Sequence, residues 1–436
     1  MLFRSAGASY YGDPGVPTGF APNHLWNFSP RLGFAWNRKG DGKETIRMGS
    51  AILYDSVAGY TNQRLTSNPP VVNEIDLTGS GPFSDPWRGY PGGNPFPGVY
   101  PPPKNAFFPT SALWILFPQD TKPTTLYTWN VSYQRQLPGN WLFSTTYIGN
   151  KTTHIWVGKE LNPAVYAGAA STTGNTAQRR LLYLANQAQG QYYGSMAFAD
   201  EGVNAHYNGW LTSVEHRFTK GYTVLVNYTW SKCISEADFQ GDITAANYSN
   251  PNNRRQDRGA CNFDFRHIFN ATSVITSAGV GNPVLKKLTG GWQLSPLMRI
   301  VSGAPLNVTS GVDNSRTGVG LDRPNLITNI GIYNDVRGPG LQLLNPAAFQ
   351  QNAVGTLGNI GHDAFRGLAQ VNFDTSLSRT FTLREALKLE ARAEGFNIIN
   401  HTNFGNPTTA LNSGTFGRIL SANDPRILQF ALKVHF

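Results

Sequence analysis

Apolar and polar residues alternate along much of this chain. In SPRLGFAW (29–36), Leu32, Phe34 and Trp36 are spaced by Gly33 and Ala35. In TLYTWNVSYQRQL (125–137), Tyr127, Trp129, Val131 and Tyr133 oppose Thr128, Asn130, Ser132 and Gln134. A period of two predicts strands with one apolar and one polar face. PGN joins that segment to WLFSTTYIG (141–149), and TKG joins GWLTSVEHRF (209–218) to YTVLVNYTWSK (222–232), so both pairs read as β-hairpins. RKGDGKE (38–44) is a polar turn before TIRMGSAILYD (45–55). Weaker strands are predicted at 263–276, 290–301, 371–380 and 386–398. In the last of these, Lys388, Glu390, Arg392 and Glu394 share a face, which therefore meets water. The final ILQFALKVHF (427–436) alternates to its last residue. The helical spacing i, i+3, i+4, i+7 is not sustained over any long window.

The pattern yields about eleven strands of roughly 9–12 residues, where a globular sheet averages about 5–6. That longer length crosses a tilted bilayer path. Several apolar faces begin or end in Trp, Tyr or Phe, as the aromatic girdles of a membrane barrel require. Turns at 38–43, 137–140 and 219–221 are short, whereas the connections 56–124, 150–206, 232–262, 302–370 and 399–426 are long. Short turns at one end and long loops at the other are the asymmetry of an outer-membrane barrel. The fold class is all-β, an antiparallel transmembrane β-barrel with long extracellular loops. Closure then requires the last strand to pair with the first, with Leu428 to Phe436 at alternate positions facing lipid and Lys433 and His435 facing the lumen. A one-residue slip would turn Lys433 to lipid, at about 2–4 kcal/mol near the midplane.

Composition agrees with this reading. Charged residues make up only 14% of the chain, against roughly 25% in soluble domains. The net charge of +10 comes from scattered Lys and Arg without a basic run, which argues against nucleic acid as a partner. Anionic lipid accounts for the sign as well as a solvated lumen does. No apolar stretch is long enough for a transmembrane helix, and MLFRSAGASYYGDPGVP (1–17) lacks the apolar core of a signal peptide.

Candidate chemistry is sparse. Cys233 and Cys261 stand at the two ends of a long loop, either as free thiols or as a disulfide closing it in an oxidising compartment. NRRQDRG (253–259) brings Arg254, Arg255 and Arg258 together, for an anionic ligand or lipopolysaccharide phosphate, or for ion pairs with Asp257 and Asp264. The Pro- and Gly-rich segment 81–103 offers Trp87, Tyr90, Phe96 and Tyr100 as stacking faces for sugars or aromatic siderophores, or as packing residues. KGDGKET (39–45) lacks the spacing of a phosphate loop and reads as a turn. The eight histidines are dispersed, and neither H-E-x-x-H nor G-x-S-x-G occurs, so neither an enzyme nor a cofactor or metal site is expected. The N-x-[ST] triplets at Asn130, Asn150, Asn227 and Asn270 carry no glycosylation signal here.

The terminal strand, through Phe430, Leu432, Val434 and Phe436, resembles the C-terminal insertion signal of bacterial outer-membrane proteins. GDPGVP (12–17), SPRLGFAW (29–36), TWNVSYQRQLPGNW (128–141), YIGNKTTHI (147–155), VNYTWSK (226–232), FDFRHIFNAT (263–272) and FNIINHTNFGNP (396–407) together resemble the barrel of Oar-like TonB-dependent transporters. The resemblance implies a single barrel domain over 1–436, matching the C-terminal 11–12 or so strands of a barrel of about 22. Neither a signal peptide nor a plug is read in this chain. The resemblance further implies uptake of a scarce nutrient, such as a siderophore or oligosaccharide, across the cell outer membrane. Implied partners are outer-membrane lipid and lipopolysaccharide, the barrel-assembly machinery, a small ligand, and the TonB complex through a plug. An adhesive surface barrel without transport is the alternative, and a secreted soluble all-β binding protein a third.

Overall fold

The computed structural model describes residues 25–55, 68–69, 82–88, 108–118, 120–219, 221–237, 248–385 and 387–436. The N-terminal stretch with GDPGVP, and Tyr90, Phe96 and Tyr100, lie outside these residues.

Among the described residues eleven long strands follow each other as antiparallel neighbours in one sheet: β1 (Arg31–Asn37), β2 (Glu44–Tyr54), β3 (Thr125–Leu137), β4 (Trp141–Glu160), β5 (Tyr193–Thr219), β6 (Tyr222–Ser235), β7 (His267–Ala278), β8 (Gly290–Val301), β9 (Gln370–Arg384), β10 (Leu387–Phe396) and β11 (Ile427–His435). Each pairs with its sequence neighbours, so the alternation seen in the sequence becomes two continuous faces. Across one face Met48, Val131, Tyr147, Trp210 and Trp230 stand directly opposite one another on β2 to β6. Leu294, Leu377, Ala393 and Phe430 continue that face on β8 to β11. It is apolar and outward: Trp210 is 47% exposed, Trp230 55% and Phe430 78%. The other face carries Asn227, Asn270, Arg299 and Asn372 in register from β6 to β9.

The turn between β3 and β4 is tight because Gly139 and Asn140 adopt positive φ, 75° and 65°, a geometry open to Gly and Asn and costly for most other residues. The β7–β8 connection instead holds a short helix, Pro283–Thr289, started by Pro283 at its first turn and by Asn282, whose side chain accepts from the Leu285 amide at 2.9 Å. No helix among the described residues is long and apolar enough to cross a membrane.

The expected pairing of the last strand with the first is not made. β11 pairs only with β10 and β1 only with β2, leaving two open edges among the described residues. The reason is parity: after an odd number of up-and-down strands, β1 and β11 run the same way. Antiparallel closure requires an even count, so these two edges could not pair directly in an antiparallel ladder.

The connections are more structured than expected. β4 and β5 extend well into 150–206, and Ala112–Leu116, within 56–124, pairs in parallel with the top of β5. The upper ends of β4 and β5 are covered on both faces, with Val157, Ala199 and Val203 fully buried. Two-sided burial erases alternation, so the pattern there no longer reads as strand.

The packed cores therefore sit in the loops. Leu306, Val308, Leu344, Ala348, Phe349, Ile360 and Phe365 from the β8–β9 connection enclose Phe416 from the β10–β11 connection. Phe349 meets Phe365 and Phe416 edge-on at 5.3 and 5.2 Å. A second cluster joins Val157 and Val203 to Ala237 and Tyr248. Each fully buried aliphatic or aromatic side chain contributes about 1.5–3 kcal/mol, which holds these loops as folded bodies above the sheet.

Candidate functional site

Three surfaces bear on function: the inner wall of the sheet, the folded loops above it, and the outer belt.

The inner wall is built from the polar half of each alternating strand. The N-x-[ST] triplets belong to it. Asn130 and Ser132, Asn227 and Thr229, Asn270 and Thr272 are each two residues apart and share a face, while Val131, Tyr228 and Ala271 between them belong to the apolar face. The triplets are thus the signature of a polar wall. Farther round, Arg392 lies 2.5 Å from Glu390 and 3.5 Å from Glu394, and His435 reaches Glu390 at 3.2 Å. This ladder spans β10 and β11 on the face that the charges of 388–394 had marked as wet. Near the short-turn end, Lys43, Arg47 and Arg217 with Gln134 and Gln136 line a cavity of about 160 Å³.

The loops are joined by buried ion pairs. The tight turn Arg254–Asp257 directs the Asp257 carboxylate inward, 2.7 Å from Arg323 of the β8–β9 connection. Arg323 also donates to the Ile360 carbonyl at 2.9 Å and to the Ser249 hydroxyl at 3.2 Å, and both side chains are almost fully buried. Asp264 accepts the Cys233 amide at 2.7 Å and pairs with Arg266 and Arg366. Cys233 and Cys261 are disulfide-bonded with their Cα atoms 5.4 Å apart, at the base of this loop.

The sequence-selected arginines therefore separate. Neither Asp257 nor Asp264 pairs with them, because Arg323, Arg266 and Arg366 occupy those carboxylates. Arg254 bridges Asp200 and Glu236 at 3.5 and 3.9 Å and lies over Gly202, where a β-carbon has no room. Arg255 and Arg258 are exposed, with no ion-pair partner among the described residues. Trp87 is half-buried. A further recess of about 360 Å³ opens between Ser111, Leu113, Thr173, Thr176, Arg180 and Ser195. Its Arg180 is fixed by the Asn162 carbonyl at 2.6 Å and by Glu160 at 3.4 Å. No local motif marks that recess; Arg180 acquires its partners only on folding.

Burial shifts the ionisation of two loop groups, Tyr248 and Asp322. Burial and the neighbouring Asp200 carboxylate, 2.6 Å from its hydroxyl, push Tyr248 far above the ordinary tyrosine range. Burial likewise raises Asp322, against hydrogen bonds from Ser315 and Asn352 that favour its charged form.

The outer belt carries two aromatic girdles. On the long-loop side, Tyr147 and Trp210 are 6.4 Å apart and Trp210 stands opposite Trp230. On the short-turn side, His216 stacks on Tyr222 at 4.2 Å and meets Trp141 at 4.8 Å. Phe430, Leu432, Val434 and Phe436 are all exposed on this surface. Such girdles flank the hydrocarbon band of an outer-membrane barrel.

Comparison with known proteins agrees with this architecture. The family model described as "Outer membrane beta barrel domain" matches residues 3–429. No curated protein matches the sequence. Among solved structures, the outer membrane transporter YddB from Escherichia coli is similar over 93% of this chain and 40% of its own, with a TM-score of 0.51 and 10% identity. The ferric enterobactin receptor PfeA from Pseudomonas aeruginosa aligns over 94% of this chain and 40% of its own, with a TM-score of 0.45 and 11% identity. The ferric-catecholate import receptor Fiu from E. coli K12 aligns over 93% and 34%, with a TM-score of 0.41 and 11% identity. The chain thus spans less than half the length of these proteins. From the match over nearly its whole length, with the polar wall and girdled belt, this chain belongs to the outer membrane beta barrel domain family and is a protein of the outer membrane.

Proposed function

We propose that this chain supplies part of the wall and the external loops of a TonB-dependent, Oar-like transporter that takes up a scarce nutrient, a siderophore or oligosaccharide being the leading classes. The observation that carries the reading is the join between a continuous polar inner wall and loops folded into a fixed body above it. Asn403 makes that join directly. From the β10–β11 loop it donates to Asn372 of the inner wall at 2.6 Å and brackets Val371 with bonds of 2.7 and 2.9 Å. Loops anchored to the wall would hold a ligand over the lumen, and the row Asn227, Asn270, Arg299 and Asn372 offers three neutral amides and one guanidinium along its path.

In this reading the two open edges are completed by an odd number of further strands, because unpaired backbone groups are not tolerated in hydrocarbon. A plug and its TonB contact would lie within that larger barrel, with energy coupling entering through them. Lipopolysaccharide would meet the outer belt and the exposed Arg255 and Arg258. The barrel-assembly machinery would read the C-terminal strand.

The test is uptake of a radioiron-loaded catecholate siderophore and of a fluorescent maltooligosaccharide. Cells encoding this chain are compared with an isogenic deletion, each with and without active TonB. TonB-dependent uptake of either probe that disappears in the deletion is expected. Unchanged uptake of both, with loss of surface attachment, would replace transport with the adhesive reading.

A further inference from the structure

The β7–β8 connection lies at the short-turn end of the sheet, which in outer-membrane barrels is periplasmic, and its helix is unusual in what it leaves uncovered. Val280, Val284, Leu285 and Leu288 are 70%, 67%, 48% and 62% exposed. At helical spacing Val284, Leu285 and Leu288 form one stripe, and Lys286 and Lys287 form the opposite one. Segment 279–292 contains no acidic residue.

The sheet fixes where this helix sits. Arg379 stands opposite Trp292 in the β8–β9 register, on the same outward face as Leu294 and Leu377. Its guanidinium lies over the rings of Trp292 and Phe381, 5.6 and 4.6 Å from their centroids. From there it donates to the Leu288 carbonyl at 2.6 Å and to the Lys287 carbonyl. Trp292 Nε1 donates to the same Leu288 carbonyl at 3.0 Å. The last helical carbonyls, which need partners and carry partial negative charge, are thus held by side chains of the lipid-facing surface. The helix is tethered to the outer side of the sheet, away from the lumen.

We infer that Pro283–Thr289 is a membrane-interface helix that docks on anionic phospholipid of the inner leaflet, with Val284, Leu285 and Leu288 among the acyl chains and Lys286 and Lys287 at headgroup phosphates. Two observations select this occupant. The helix that carries the apolar stripe is tied to the lipid-facing belt through Arg379 and Trp292, and the polar stripe is wholly cationic, as an anionic surface requires. Arg379 sets the docking angle, its charge shared between two rings and two carbonyls.

The full chain in nanodiscs tests this with an environment-sensitive fluorophore on Leu288→Cys, and on Asp41→Cys of the β1–β2 turn as control. Leu288→Cys should be quenched by phospholipid brominated in its acyl chains and shielded from iodide, and Asp41→Cys should behave the opposite way. Iodide access with no effect of the brominated lipid would overturn the assignment and point to a soluble periplasmic partner. A Lys286→Gln, Lys287→Gln double variant keeps the helix intact. In native mass spectrometry its preference for phosphatidylglycerol over phosphatidylcholine should fall about tenfold. An unchanged preference would remove the anionic headgroup from the proposal.

Discussion

Arg323 and Asp257 lie 66 positions apart in sequence and 2.7 Å apart in space, both nearly fully buried. They connect the disulfide-bridged loop to the β8–β9 connection. Removing one partner of such a pair strands a buried charge, at about 3–5 kcal/mol. Arg323→Ala should therefore loosen the external loops while the sheet beneath stays folded. Limited proteolysis of the detergent-solubilised protein should cut residues 248–264 faster in the variant. Replacing both partners, as Arg323→Met with Asp257→Leu, should restore much of the resistance, since paired apolar replacements are often neutral. Equal cleavage of wild type and Arg323→Ala would deny the pair its clamping role.

Trp129 of β3 lies across Gly149 of β4, its directly opposed partner, and a β-carbon at 149 would collide with the indole. The ring covers what the glycine leaves bare. Gly149→Val should displace the indole from the sheet and cost about 1–3 kcal/mol. The checks are a shift in tryptophan emission and a lower temperature of gel-mobility change. Gly149→Ala should show the same effects more weakly.

How legible this was depended on where a strand was buried. The lower parts of the strands alternate because one face meets lipid and the other water, so Val131, Tyr147 and Trp230 identified their strands directly. The tops of β4 and β5 did not, because Val157 and Val203 sit in a core with no polar face. The arginine cluster of the sequence drew attention to Arg254, Arg255 and Arg258, whereas the buried clamp is Arg323, whose partner is far away in the chain. Spacing marks a site only when its residues are neighbours in sequence. The interface helix was hidden for another reason: seven residues are too few for helical periodicity to register.

Tyr248 should make one loop alkali-sensitive. Its folded pKa is raised far above its ordinary value by burial and by Asp200. A raised pKa favours the protonated form in the fold, so the stabilisation is complete below about pH 10, the unfolded tyrosine value. It declines as pH rises beyond that point toward the folded value. Proteolysis around 248–257 should accelerate at strongly alkaline pH in wild type. Tyr248→Phe should start from a lower stability, by about 1–3 kcal/mol for the buried Asp200 interaction, and show a flatter pH response.

The disulfide closes the loop between β6 and β7 where its two ends leave the sheet, with the Cys261 amide also bonding the Cys233 carbonyl at 3.3 Å. Closing a loop with a sequence separation of 28 stabilises by about 3–4 kcal/mol in the chain-entropy model. A Cys233→Ser, Cys261→Ser double variant should assemble in the membrane yet lose protease resistance in this loop, and reductant should reproduce the effect in wild type. If assembly itself fails, the bridge contributes to folding of the sheet as well as to the loop.

The terminal strand permits a comparison of two lysines three positions apart. Leu432 is 76% exposed on the outward face, opposite Ala391, whereas Gln429 stands opposite Glu394 in the charged ladder of the inner wall. Leu432→Lys would place an ammonium toward hydrocarbon, costing about 2–4 kcal/mol if it lies near the midplane. Gln429→Lys would add a cation beside a carboxylate in water, worth at most about 1 kcal/mol in its favour. Membrane assembly, read as the heat-modifiable fraction, should fall sharply for Leu432→Lys and remain at the wild-type level for Gln429→Lys. Loss in both would mean that the C-terminal sequence is read as a signal during insertion, independently of which face each residue occupies. Loss in neither would place Leu432 out of contact with lipid and reverse the assignment of the two faces.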